Sequence, residues 1–183
     1  MKTAMAGCLL GLAVGDSLGA HFEGQSPEAI SSRFKTIDDV IARVVSHLYY
    51  TDDTQMAIGV AETLAECGEI DESVLCRQFV TNYDPSRGYG MGARVVLEAM
   101  QLGRDYQAVA ANYFPGGSFG NGAAMRVAPV GVFFQHDQGK LLDNAERQSL
   151  PTHVHPLGID GARLVRTFCG LGGGFWCWYR GKC

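Results

Sequence analysis

Tyr49-Tyr50-Thr51-Asp52-Asp53-Thr54 sets a hydroxyl and two carboxylates next to one another. Apolar residues follow at helical spacing, with Met56, Ala57, Ile58, Val60, Ala61, Leu64 and Ala65, so the oxygen cluster opens a helix. Thr51 or Asp52 suits the N-cap, because the unpaired N–H groups and the dipole of a helix start attract oxygen and negative charge. Capping alone accounts for the cluster. A hard divalent cation accounts for it equally, since Asp52 and Asp53 are adjacent like charges whose joint ionisation is costly without a cation between them. Mg²⁺ takes oxygen ligands and is commonly held by only one or two carboxylates. Both readings stand on these residues.

Gly116-Gly117-Ser118-Phe119-Gly120-Asn121-Gly122 is the second stretch with chemistry in it. Four glycines, a serine and an asparagine before a helix start concentrate bare backbone N–H groups, an arrangement that receives phosphate. Phe119 can offer a flat face to a base. A flexible linker is the competing reading, but such linkers seldom lead directly into an apolar segment, so an anion site is preferred. The helix expected next begins near Ala123 and runs through Met125 and Val127, with Pro129 kinking or shortening it.

Isolated polar residues are weaker signals. Asp16 reads more readily as a buried carboxylate bonded to backbone N–H groups than as a site residue. Glu23, in Gly19-Ala20-His21-Phe22-Glu23-Gly24, falls in a loop and by itself would be a surface acid. His153 and His155, at i and i+2, have no cysteine or acid at zinc-ligand spacing beside them. In Arg87-Gly88-Tyr89-Gly90-Met91-Gly92, three glycines at alternate positions mean a close approach to the backbone or a moving loop. No strand precedes them, and the spacing is not that of a dinucleotide fingerprint.

These residues are positioned by helices. Met5 to Leu18 reads as a helix in which Gly7, Gly11 and Gly15 suggest close packing against another backbone. Residues 26–48 read as a short helix with Pro27 at its first position, then a variable connection. Gly68 suits a C-cap, Asp71 and Glu72 open a further helix, and helical periodicity returns at Val95 to Met100, Leu141 to Leu150 and Leu157 to Phe168. With no convincing strand alternation, the architecture is expected to be mostly α, with seven or eight helices.

The 183 residues fit about one domain, and 46% apolar with 19% charged residues is ordinary for a folded chain. A net charge of −4 argues against a nucleic-acid footprint, which needs a basic patch. The apolar run Ala4 to Val14 is too short for a membrane span, and only Lys2 precedes it, so a cytoplasmic location is the default expectation. Six cysteines without a CxxC pair suggest neither a zinc site nor a disulfide framework.

Taken in order, Gly7-Cys8-Leu9 to Gly15-Asp16, Tyr50 to Thr54, Arg87 to Gly90, Gly117 to Arg126 and Thr152-His153 resemble the ADP-ribosylglycohydrolase family. The likeness is greatest to the subgroup that releases ADP-ribose from serine and from poly(ADP-ribose). It implies an all-α, orthogonally packed fold holding two Mg²⁺ ions at the base of a cleft. It further implies that Thr51, Asp52 and Asp53 form the first half of the metal site. Glu23 would be the flexible catalytic glutamate beside the metals, and Asp16 a supporting acid. Gly116, Gly117, Ser118, Phe119, Gly120, Asn121 and Gly122 would cradle the diphosphate and distal ribose of ADP-ribose, with Phe119 beside the adenine and His153 touching the nucleotide. The expected partner is ADP-ribose or an ADP-ribosylated protein.

The resemblance is incomplete at the C-terminus. The family completes its metal site with an Asp-Thr-Asp-Thr-like segment on a later helix, and this sequence contains none. A family-like domain is therefore expected over residues 1–168. Residues 169–183, with both tryptophans and no periodicity, read as an atypical tail from a frameshift or broken reading frame. The implied function is removal of ADP-ribose from protein side chains or related O-linked conjugates. The alternative is a truncated, non-catalytic chain that at most binds ADP-ribose.

Overall fold

The computed structural model describes residues 2–45 and 48–170. The described residues are helical, with no strand among them. Ten α-helices follow in order: α1 (Lys2–Gly19), α2 (Pro27–Arg33), α3 (Ile37–Val45), α4 (Asp52–Cys67), α5 (Glu72–Asn82), α6 (Met91–Gln101), α7 (Tyr106–Asn112), α8 (Ala128–Phe133), α9 (Gln138–Arg147) and α10 (Pro156–Gly170). Among the described residues the count exceeds the expected seven or eight, with α3 and α7, of nine and seven residues, lying in stretches not read as helices. Two 3₁₀ turns, Pro85–Arg87 and Asn121–Ala123, lie between longer elements.

Local signals define many of the ends. Thr51 caps α4 by accepting from the Asp53 N–H at 3.4 Å, and Gly68 closes the helix at φ 75°. Asp71 caps α5, and Pro27 stands in the first turn of α2 behind the Ser26 cap. Pro129 does not kink a helix as expected. It occupies the first turn of α8, where its missing N–H costs nothing, and the preceding segment is the 3₁₀ turn Asn121–Ala123.

α4 is the central element, packing against α1, α5 and α8, while α10 closes over α8 and α9. The core joins Met56, Val60 and Leu64 of α4 to Leu75 and Phe79 of α5, Leu97 of α6, and Val127 and Val130 around α8. Leu141 and Ala145 of α9 and Ala162 of α10 complete it. Gly7, Gly11 and Gly15 overturn their expectation, for a Cβ added at any of them would meet nothing within 4 Å. Among the described residues no helix is long and apolar enough to cross a membrane. The helix α10 extends two residues into the stretch read as a tail, and residues 171–183 lie outside the described residues.

Candidate functional site

Asp16, near the end of α1, fastens the start of α4. Its Oδ2 accepts from the Thr51 N–H at 2.8 Å, the Thr54 N–H at 3.3 Å and the Thr54 hydroxyl at 2.6 Å. Its Oδ1 accepts from the Thr51 hydroxyl at 2.7 Å. A carboxylate receiving four such bonds is held in one orientation, and the Thr51 hydroxyl, having spent its proton there, keeps lone pairs for other partners. The reading of Asp16 as an acceptor for backbone N–H groups holds, with two threonine hydroxyls added, although the residue is only partly buried.

A second tether comes from the loop before α6. The Arg87 guanidinium lies 3.9 Å over the Tyr50 ring, and Nη1 donates to the Tyr50 carbonyl at 3.1 Å. The Gln55 side-chain oxygen accepts from the Tyr89 hydroxyl at 2.8 Å and from the Asp84 N–H at 3.1 Å. The start of α4 is thus clamped from two sides. Of the three alternate glycines, Gly88 needs its φ of 86°, and a Cβ on Gly92 would come within 2.7 Å of Phe114. At Gly90 a Cβ would meet nothing within 4 Å, so the expected close approach applies to only part of this loop.

Asp52 and Asp53 are half-buried at this clamped helix start. Burial pushes both carboxyls up to about 6, with a further push on Asp52 from Glu23 and on Asp53 from Asp52. Glu23 itself is exposed, in the turn that follows α1, close enough for its charge to be felt at both aspartates. As donors, two strained carboxylates and a hydroxyl with free lone pairs fit one side of a hard cation. They do not complete a cage: among the described residues no three His, Cys, Asp or Glu side chains converge to hold a metal. Three oxygen residues on one helix start make a partial donor set.

Asp52 also lines a cavity of about 220 Å³, together with Ser118, Gly120, Asn121 and Gly122 of the glycine-rich loop and with Thr152 and His153. The glycines there serve packing as much as exposure of N–H groups. Gly116 and Gly117 take φ of 82° and 91°, and a Cβ on Gly117 would strike Val154 at 2.6 Å and the His155 nitrogen at 2.9 Å. A Cβ on Gly122 would come within 2.5 Å of the His153 ring, so this glycine lets the imidazole sit against the loop. Gly117 spends its N–H on the Phe114 carbonyl at 2.8 Å, and Gly120 spends its own on the Ser118 hydroxyl at 3.2 Å. His153 is buried, with Nδ1 2.8 Å from the Thr152 hydroxyl, and burial followed by the nearby Arg126 charge pushes its pKa down to about 3. It is neutral at ordinary pH.

Not every expected residue reaches the cavity wall. Asp52, Ser118, Gly120, Asn121, Gly122 and His153 line it, whereas Thr51, Asp53, Asp16 and Glu23 stand around its acidic end without lining it. Phe119 is 70% exposed and tilts against His155 at 5.4 Å, outside the wall, and Gly116 and Gly117 form the root of the loop. Other residues come in that the sequence reading passed over as site residues: Met91, Phe114 and Arg126 on the wall, and Gln55, Arg87 and Tyr89 behind the helix start. Their only signal was position, within or beside the motifs already noted.

The all-α fold that the family resemblance implied is the fold of the described residues. The sequence profile of the ADP-ribosylglycohydrolase family matches residues 2–169, and the chain belongs to that family. Among its curated relatives, ADP-ribosylhydrolase ARH3 of Xenopus tropicalis is 37% identical over 167 residues, covering 86% of this chain and 47% of the relative. The protein of the same name from Homo sapiens is 32% identical over 170 residues, again with 86% and 47% covered. The chain spans about half the length of the curated relatives it matches.

Proposed function

We propose that this chain carries the nucleotide-binding half and the first half of the metal site of a Mg²⁺-dependent hydrolase. That enzyme removes ADP-ribose from modified protein side chains or related O-linked conjugates. The observation that carries the reading is the cavity of about 220 Å³ lined by Asp52 together with Ser118, Gly120, Asn121, Gly122 and His153. Such an arrangement suits a ligand with a ribose at the acids and an anionic, aromatic remainder along the loop. The family membership and the relatives named ADP-ribosylhydrolase support the same substrate class.

Hydrolysis at the anomeric carbon breaks the bond to the side-chain oxygen and forms one to water, through a transition state with oxocarbenium character. Thr51, Asp52 and Asp53 would hold the cation, which when bound orients ribose hydroxyls and makes a water more acidic. Glu23, an exposed turn residue whose charge is felt at Asp52 and Asp53, would take the water's proton or donate one to the departing oxygen. His153, held neutral, binds without adding a charge. The Asp16 clamp keeps the Thr51 lone pairs in place.

A second reading has its own observation: the acidic donor set is partial among the described residues. On that reading the chain binds ADP-ribose without hydrolysing it. Calorimetric titration of the folded chain with ADP-ribose, with and without Mg²⁺, separates the two from each other and from no function at all. Tighter binding with Mg²⁺ supports a metal at Thr51, Asp52 and Asp53 and makes a hydrolysis assay the next step. Binding indifferent to Mg²⁺ supports the binding-only chain, and no binding defeats both. In a chain that does turn over, an unchanged rate in Glu23→Gln would remove Glu23 from the chemistry.

A further inference from the structure

Arg126 is fully buried, and the Asp52 carboxylate is close enough for each to feel the other's charge. Nε donates to the Gln148 side-chain oxygen at 2.9 Å, and Nη2 donates to the Gln148 carbonyl at 2.6 Å and the Ser149 carbonyl at 3.5 Å. Nη1 has only the Met56 sulfur, at 3.5 Å, and the guanidinium lies 4.7 Å over the Phe79 ring. Among the described residues no carboxylate stands within ion-pair distance of it. A buried charge without an ionic partner is costly, and an apolar side chain of similar volume would suit such a core better. Its hydrogen bonds hold the Gln148–Ser149 turn, but among the described residues no carboxylate in contact with it matches the full charge.

Arg126 forms part of the wall of the cavity, and among the described residues it is the one cationic side chain lining it. His153 beside it is neutral, and the Ser118 to Gly122 loop offers dipoles rather than charge. Asp52 gives the same cavity an acidic end. The cavity wall therefore carries one acid and one buried cation.

On the reading of this cavity as a nucleotide site, we infer that Arg126 is a specificity-determining residue. Its buried charge selects an anionic diphosphate ligand over a neutral nucleoside and sets which end of the ligand faces the acids. The effect is exerted through space, in a low-dielectric wall where water and salt screen it little. Holding the Gln148–Ser149 turn, which leads to His153, is a separate structural task that an uncharged residue fails equally for every ligand. The two tasks are separable by ligand choice.

The test titrates the folded chain, free of divalent metal, with ADP-ribose and in parallel with adenosine. The wild-type chain is expected to prefer ADP-ribose, and Arg126→Met, which keeps the volume and the Phe79 contact, is expected to reduce that preference about tenfold. Equal weakening of both ligands makes Arg126 structural only and overturns the inference. Where Arg126→Met does not fold, the wild-type chain decides. Raising salt from ~0.05 M to ~0.5 M leaves the preference within about twofold if a buried charge produces it, and removes most of it if exposed groups do. A folded wild-type chain that binds neither ligand defeats the nucleotide-site reading itself, whereas binding with an unaltered preference in Arg126→Met defeats only the role of Arg126.

Discussion

α4 and α1 are long helices that meet at the acidic end of the cavity, and both carry glycine, yet they are packed very differently. In α4, half of the 16 residues are buried, and Gly59 lies so close to Phe79 that an added Cβ would sit 2.9 Å from the ring. In α1, only Ser17 of 18 residues is buried, and Gly7, Gly11, Gly15 and Gly19 have open space where a Cβ would go. Met5, Cys8, Leu9, Leu12, Ala13 and Asp16 form the partly covered stripe of α1. Leu10, Val14 and Leu18 face outward beside the glycines. The difference teaches that apolar composition does not identify the central helix. α1 is apolar all round and peripheral among the described residues, while α4 is amphipathic and central.

Core truncation breaks the comparison most sharply. Leu64 on α4 is 1% exposed, and Leu64→Ala is expected to cost about 3 kcal/mol by leaving a cavity. Leu10 on α1 is 67% exposed, and Leu10→Ala is expected to stay within about 0.5 kcal/mol. Urea unfolding of both variants checks the contrast. Equal losses would show that α1 is as deeply packed as α4 in solution.

The junction of the two helices comes next in size. Asp16→Ala removes the acceptor of all four bonds from Thr51 and Thr54, and part-buried donors left without a partner are expected to cost about 2 kcal/mol. The same variant is expected to lose any Mg²⁺-dependent rise in melting temperature, because the Thr51 hydroxyl is no longer aimed. A variant of ordinary stability would show that α4 does not depend on α1 for the shape of its first turn.

The acids at that junction give a smaller, pH-dependent effect. Burial pushes the Asp52 and Asp53 carboxyls up from 3.8 to about 6, so between those values the folded chain holds more protons than the unfolded chain. Their contribution to stability is therefore present at low pH and lost as pH rises to about 6, then constant above it. Allowing for their partial exposure, the change is about 1 kcal/mol or less. His153 acts in the opposite sense, because its pKa falls from 6.5 to about 3 and the unfolded chain takes up its proton first as pH drops. The stability of Asp53→Asn minus that of wild type cancels the histidine contribution. This difference is expected to grow from pH ~4 to pH ~6 and to shrink when Mg²⁺ is added.

The same contrast explains what was legible from residues alone. The Thr51 cap, the Gly68 C-cap, the Asp71 cap and Pro27 were legible because each is a local bargain between one side chain and its own backbone. The packing of Gly122 against the His153 ring had no local signal, and the family likeness gave the loop and the histidine only as separate contacts of a nucleotide. Arg126 stood only as the last residue of a motif, and the packing of α4, α5 and the Gln148–Ser149 turn around it is what shows a buried charge. The glycines of α1 looked like a packing surface because glycine in a helix is costly without one. Whether a face is covered is decided by elements far away in sequence, and no local pattern encodes it.

The glycine stripe itself offers the smallest effect and the sharpest sign. At Gly11, inside α1, an added methyl group meets nothing within 4 Å, and the residue has an ordinary helical conformation. Replacing a helix-interior glycine by alanine reduces the freedom of the unfolded chain and favours helix by up to ~1 kcal/mol. Gly11→Ala is therefore expected to stabilise the chain by about 0.5–1 kcal/mol in urea unfolding, and Gly7→Ala to do the same independently because the two methyls do not touch a common neighbour. A loss in either variant, with the protein concentration varied to separate association from folding, would mean that another surface lies on this stripe in solution. In that case α1 would share the close packing of α4, and the contrast between the two helices would disappear.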